Sequence, residues 1–175
     1  MMLAEVKTRI GEELETLSHE LTLRMSARLS QSLEVSESEL AESVERIYQK
    51  RIRFLGQLLA GMTHIDPRTL WTDRVGYGSL VRIRDLDTGV EETVTLLTGH
   101  LVDPEEGQLS MSSPLGEALL GRSSGEIVTV PAPGGERRYQ IVDFVPLTQR
   151  VGQRTAEMEL LAGEEDAELS AGSRT

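Results

Sequence analysis

Apolar side chains recur every three or four positions at Leu3, Val6, Ile10, Leu14, Leu17, Leu21, Met25 and the Arg28/Leu29 position. That spacing predicts one long amphipathic helix over residues 3–31, with Gly11 as its weak point at about 1 kcal/mol relative to Ala. A second stripe, Leu40, Val44, Ile47, Ile52, Leu55, Leu59 and Met62, predicts a helix over 37–62. Ser36 and Glu39 form a capping-box pattern at its start, and Val35 with Leu40 fits a hydrophobic staple. Gly61, then Asp66-Pro67, marks its end. Two such helices joined by a short turn fold back as an antiparallel pair, each hiding its stripe against the other. Either would be roughly 40 Å long, a finger projecting from a compact domain.

After residue 74 the period changes to two. Val81 and Ile83 alternate with Arg82 and Arg84, and Tyr139 and Ile141 flank Gln140, as in half-buried strands. Asp87-Thr88-Gly89 and Pro133-Gly134-Gly135 read as turns. One short helix interrupts the strands, in SMSSPLGEALLG over residues 110–121. Ser113 suits its N-cap and Pro114 its first position. Leu115, Ala118 and Leu119 share a face, and Gly121 suits a left-handed stop. The expected organisation is a helical pair over 1–65, a linker over 66–74 whose Leu70 and Trp71 pack between the helical pair and the β domain, a β domain over 75–147, and a tail over 148–175. The tail is acidic and rich in small residues, so disorder is expected there, with a short helix at 156–161.

Composition narrows the chemistry. The aromatic residues are two Phe, three Tyr and one Trp, so the core must be mostly aliphatic. Absence of Cys excludes disulfides and thiolate metal sites and fits a cytoplasmic protein. No run has the apolar length of a membrane span, and the N-terminus lacks the apolar block of a secretory signal. Net charge is −11, with 8 basic and 10 acidic residues in 1–65, 7 and 13 in 66–147, and 3 and 6 in 148–175. Every part is acidic, which argues against general duplex-DNA binding. His19, His64 and His100 share no metal-ligand spacing. Neither a phosphate-binding Gly loop nor a Gly-x-Ser-x-Gly elbow occurs.

Over residues 74–145 the order VGYGSLVRIRDLDTG, VTLLTGH, SMSSPLGEALLG, GEIVTV and PGGERRYQIVDF resembles the C-terminal domain of the GreA/GreB transcript-cleavage factors and their Gfh-type and Rnk-type relatives. Residues 51–67, RIRFLGQLLAGMTHIDP, resemble the exit of that family's coiled coil. The resemblance implies an α+β fold: an N-terminal antiparallel two-helix coiled coil, then an FKBP-like antiparallel β domain with one short helix. It implies a partner, bacterial RNA polymerase, gripped at the rim of its secondary channel, with Ser112, Ser113 and Pro114 at the position that touches the rim. A monomer with no membrane contact and no cofactor of its own is expected. FKBP-like architecture raises prolyl isomerisation, but such sites are lined with aromatics and only Tyr77, Tyr139 and Phe144 are available; fold alone does not carry function.

In the family, acidic residues at the tip of the helical pair help hold a catalytic Mg²⁺ shared with the polymerase, which needs hard oxygen ligands close together. Here the tip reads LSQSLEVSESELAES. Aligned backwards from the helix exit, Glu34 falls on the family Glu, but Gln31 falls where Asp should be, and no Asp precedes Asp66. On this alignment the first helix is about ten residues short, a loss of roughly 15 Å of reach. Glu34 and Glu37 are the tip candidates. A helix start is enough to account for Glu37, Glu39 and Glu42; Glu34 is the least explained by structure. Arg46, Lys50 and Arg53 share a helix face, with Arg51 beside them, and are candidates for contact with the RNA 3′ end; a solvated face paired with Glu42, Glu45 or the first helix is the competing account. The expected function is modulation of transcription elongation with weak or absent stimulation of RNA cleavage. A cleavage factor with a glutamate tip, and a coiled-coil module with a non-polymerase partner, are the alternatives.

Overall fold

The computed structural model describes residues 2–30, 35–66, 70–98 and 102–151. Helix α1 spans Met2–Ser30 and α2 spans Val35–Gly61. Ser36 therefore lies inside the first turn of α2, not ahead of it, so the capping box drawn from the sequence does not mark this start. Among the described residues, contacts divide the chain into two compact units: one holds residues 9–56, the other 2–8 with 57–151.

In the first unit Ile10 and Leu17 of α1 and Val44, Tyr48 and Leu55 of α2 are buried. The α2 stripe differs from the expected one: Tyr48 takes the inner position, while Ile47 and Ile52 are half-buried. Met25, expected in the α1 stripe, is 44% exposed. Tyr48 can be buried because its hydroxyl has a partner, donating to Glu20 Oε2 at 2.9 Å. The Arg24 guanidinium sits 5.1 Å from the centre of the same ring. Arg51 Nε donates to Glu13 Oε1 at 2.9 Å, and this ion pair is largely shielded, with side chains 10% and 13% exposed. Glu13 meets Arg51 and Glu20 meets Tyr48, so α1 and α2 run antiparallel here.

The second unit is built on a five-stranded sheet: β1 Leu80–Asp85, β2 Glu91–Leu97, β3 Gln108–Ser110, β4 Ile127–Ala132 and β5 Gly135–Val145, in the order β3-β2-β1-β5-β4. A short helix α3, Pro114–Leu119, lies between β3 and β4, and a one-turn helix α4, Leu147–Arg150, follows β5. Strands β1/β2, β1/β5 and β4/β5 pair antiparallel as expected, the second with a register shift between Arg82 and Ile83. β2 and β3 pair parallel, which corrects the wholly antiparallel sheet expected from the sequence. A parallel neighbour needs a crossover. The chain makes it through a 3₁₀ turn, Pro104–Glu106, capped by the Asp103 side chain and ended by left-handed Gly107.

Alternation sets the core. Val81 and Ile83 point inward with Val75, Leu96, Val128 and Ile141, and Leu119 of α3 closes the cluster. Arg82 and Arg84 point outward, paired with Asp143 and Glu91 on the neighbouring strands. Leu119 is fully buried, so truncating it to Ala should cost about 2–5 kcal/mol. The β1–β2 turn is held by Asp85, whose Oδ1 accepts the N–H groups of Asp87 and Thr88 at 2.8 and 3.0 Å. The β4–β5 turn has Pro133 followed by Gly134 at φ 96°, the residue signature of a type II turn. Leu70 is buried, and the Trp71 ring lies beside Gly121.

Candidate functional site

The start of α3 is tightly determined. Ser113 is extended, its Oγ accepts the Gly116 N–H at 3.1 Å, and its hydroxyl donates to the Ser110 carbonyl at 2.7 Å. Ser110 Oγ in turn accepts the Ser112 N–H at 3.2 Å. A Cβ on Gly116 would fall 2.0 Å from the Ser110 carbonyl oxygen, so glycine is required for the helix to sit this close to β3. The helix ends at Leu119; Leu120 is already extended, and Gly121 takes the left-handed conformation one residue later than a direct stop would need. The Gly121 N–H donates to the Val75 carbonyl at 2.8 Å. This bracing leaves Ser112 and Pro114 exposed.

Pro114 and Leu115 form one wall of an open groove of about 370 Å³. The opposite wall is the end of the β4–β5 hairpin, with Pro131 and Pro133. Leu109 and Tyr139 also line it, and Arg137 is the one charged residue among the lining. Arg137 is exposed; the adjacent Tyr139 side chain first, and then Asp85 and Asp87, hold its pKa above the ordinary value. Sequence reasoning found the Ser113–Pro114 wall and missed this one. Three prolines on two segments, with an arginine two residues before a half-buried tyrosine, were the available signal. Of the aromatics considered for an isomerase site, only Tyr139 lines the groove. Tyr77 is buried with its hydroxyl on the Leu58 carbonyl at 2.8 Å, and burial pushes its pKa well up. Phe144 packs on the core cluster.

The basic candidates on α2 separate into two kinds. Arg46, Lys50 and Arg53 are exposed. Arg46 lies along its own helix, donating to the Glu42 carbonyl at 3.2 Å and to Ser43 Oγ at 3.3 Å. Arg51 is spent on Glu13 and on the face of Phe54, 5.8 Å away. Glu34 lies outside the described residues. Glu37 falls within α2, with its side chain outside what is described. Among the described residues no group of three or more His, Cys, Asp or Glu is placed to hold a metal ion, and no helix is long and apolar enough to cross a membrane.

Two N-terminal helices followed by a curled, mixed sheet carrying one short capped helix define the architectural class. Residues 70–146 match the C-terminal domain of the transcription elongation factors GreA/GreB. Transcription elongation factor GreA of Thermotoga neapolitana is 36% identical over 141 residues, covering 77% of this chain and 90% of that protein. GreA of Helicobacter hepaticus is 36% identical over 110 residues, covering 63% and 68%. Among solved structures, GreA/GreB from Nitrosomonas europaea aligns over 52% of this chain and 78% of its own at 30% identity, with a TM-score of 0.38. Gfh1 of Thermus thermophilus aligns over 79% and 93% at 22% identity, with a TM-score of 0.36. The chain belongs to the GreA/GreB family of transcription elongation factors.

Proposed function

We propose that this protein binds bacterial RNA polymerase at its secondary channel and modulates elongation there, with weak or no stimulation of transcript cleavage and no catalytic activity of its own. Family membership and the relatives' shared name as elongation factors support the setting. The observation that carries the finer reading is the tip sequence, SQSLEVSESELAE over residues 30–42. Gln31 stands where the family's acid is aligned, and a neutral amide adds no charge to a cation site. Glu34, with Glu37, is left as the acidic contribution to any Mg²⁺ shared with the polymerase, and Mg²⁺ favours carboxylates over amide oxygens in such sites. Ser112, Ser113 and Pro114 serve as the polymerase-docking loop. Arg46, Lys50 and Arg53 face the RNA 3′ end, whereas Arg51 is occupied by Glu13.

The test mixes the purified protein with backtracked bacterial elongation complexes and Mg²⁺, following RNA length alongside binding. Binding without shortening of the RNA is expected. Shortening that is abolished by Glu34→Gln would instead establish a working cleavage factor with a glutamate tip.

A further inference from the structure

The sequence does not mark where α1 gives way to α2. Residues 12–55 contain no Gly, Pro, Asn or Asp, the residues that pin a turn through their backbone or local hydrogen bonds. The apolar stripes do not mark it either. Ile10, Leu14, Leu17 and Leu21 face α2 residues Val44, Ile47, Ile52 and Leu55 of similar volume at three- and four-residue spacing. Sliding one helix past the other by a turn again lays aliphatic on aliphatic.

Two polar ties break this degeneracy. Tyr48, 2% exposed, donates its hydroxyl to Glu20 Oε2 at 2.9 Å, and the Arg24 guanidinium covers its ring. Arg51 Nε donates to Glu13 Oε1 at 2.9 Å in a shielded pair. The midpoints of these two pairs along the chain are residues 32 and 34, so both centre the hairpin on the same short stretch. A slip of the pairing by four residues, about 6 Å along the helices, breaks both ties. In one direction it brings Arg51 to Arg9, a like charge; in the other it brings Arg51 to buried Leu17. The same slip moves the centre of the turn by two residues and puts Gln31 or Val35 there.

We infer that Tyr48 with Glu20, and Arg51 with Glu13, are positioning residues: they select one register of the helical pair and thereby select Glu34 as the carboxylate presented at the tip. Polar partners within an apolar seam specify register by penalising the alternatives. Glu34 lies fourteen residues from Glu20 and fourteen from Tyr48, so the hydroxyl acts on it only through the pairing. The inference deepens the reading of the glutamate tip and rests on it for the consequence in transcription; the register does not depend on that reading.

Distance measurement on the full chain tests the register. The protein has no Cys, so nitroxide labels on Ala27→Cys and Gln49→Cys, both exposed positions, attach nowhere else. These positions lie roughly 15 Å apart along the helix axes, and pulsed electron resonance reads their separation. The wild-type pairing should give one distance. Glu20→Leu/Tyr48→Phe should add a minor second distance. Adding Glu13→Leu/Arg51→Leu should give two or more distances of comparable weight, reflecting axial shifts of about 6 Å, with helical circular dichroism and melting temperature at or above wild type. Restoring Glu20 and Tyr48 alone should return most molecules to the wild-type distance. A single wild-type distance in the fourfold variant overturns the inference. If that variant does not fold, a single wild-type distance in Glu20→Leu/Tyr48→Phe overturns it.

A second readout follows the consequence. With bacterial elongation complexes, the fourfold variant should bind within about twofold of wild type, because the Ser112–Pro114 loop is unchanged, yet keep at most about a third of the wild-type effect on elongation. A full effect from molecules of mixed register overturns the positioning role. A wild type that neither binds the polymerase nor alters elongation counts against the polymerase reading, and the label distances then decide the register.

Discussion

The Tyr77 hydroxyl donates to the Leu58 carbonyl at 2.8 Å by passing over Gly61, where a Cβ would lie 2.2 Å from that oxygen. The last turn of α2 is thus keyed to one tyrosine through one missing methyl group. Gln108 Nε2 adds a second tie, donating to Gln57 Oε1 at 3.0 Å. Gly61→Ala should destabilise this unit by about 1–3 kcal/mol through overpacking, and Tyr77→Phe by about 1 kcal/mol, since Leu58 O keeps its bond from the Met62 N–H. Denaturant titration of the two variants checks the order; Tyr77→Phe costing more than Gly61→Ala would refute the keying.

The α3 cap offers a sharper contrast. Ser113→Ala removes one acceptor and should cost about 0.5–2 kcal/mol. Gly116→Ala must move the helix off β3, because its methyl would overlap the Ser110 carbonyl, and should cost more. Thermal melts should rank Gly116→Ala below Ser113→Ala, and both below wild type.

Arg51 and its exposed neighbours should separate in a stability measurement. Removing Arg51 leaves Glu13 shielded and without this cation, at a cost of about 3 kcal/mol. Lys50→Ala and Arg53→Ala, on the exposed face, should stay within about 0.5 kcal/mol. Unfolding followed by helical circular dichroism reads this directly, and a neutral Arg51→Ala would show the pair to be incidental.

Acid should weaken the β domain through two turn carboxylates. The Thr88 and Asp87 N–H groups hold the Asp85 pKa below its usual value, and the Ser123 N–H does the same, first among several causes, for Glu126. A depressed folded-state pKa contributes stability above the unfolded-state value, near 4, and that contribution is lost as pH falls through the folded-state value. Melting temperature should therefore decline as pH drops below about 4. Asp85→Asn should lower stability at neutral pH and flatten the decline; an unchanged acid limb would exclude Asp85 as a contributor.

Local patterns were legible in the sequence, and distant partnerships were not. The helices run over Met2–Ser30 and Val35–Gly61 against expected spans of 3–31 and 37–62, because a 3.6-residue period is written in the chain itself. Ser113 and Pro114 were readable for the same reason: a cap is a matter of neighbouring residues. Tyr48 was passed over for Ile47 because hydropathy favours isoleucine, while the Glu20 carboxylate that makes a buried hydroxyl acceptable lies 28 residues away. Arg51 looked like its neighbours until Glu13, 38 residues away, appeared beside it. The groove escaped notice because it exists only once β3, α3 and the β4–β5 hairpin are brought together.

The two ends of the sheet also decide how the protein behaves beside copies of itself. β3, at one border, is three residues long, and β4, at the other, carries Pro131, which has no N–H to share. An incoming strand would find only a few hydrogen bonds at one border and a gap at the other. The molecule can therefore keep an open, five-stranded sheet without offering a template for fibre growth.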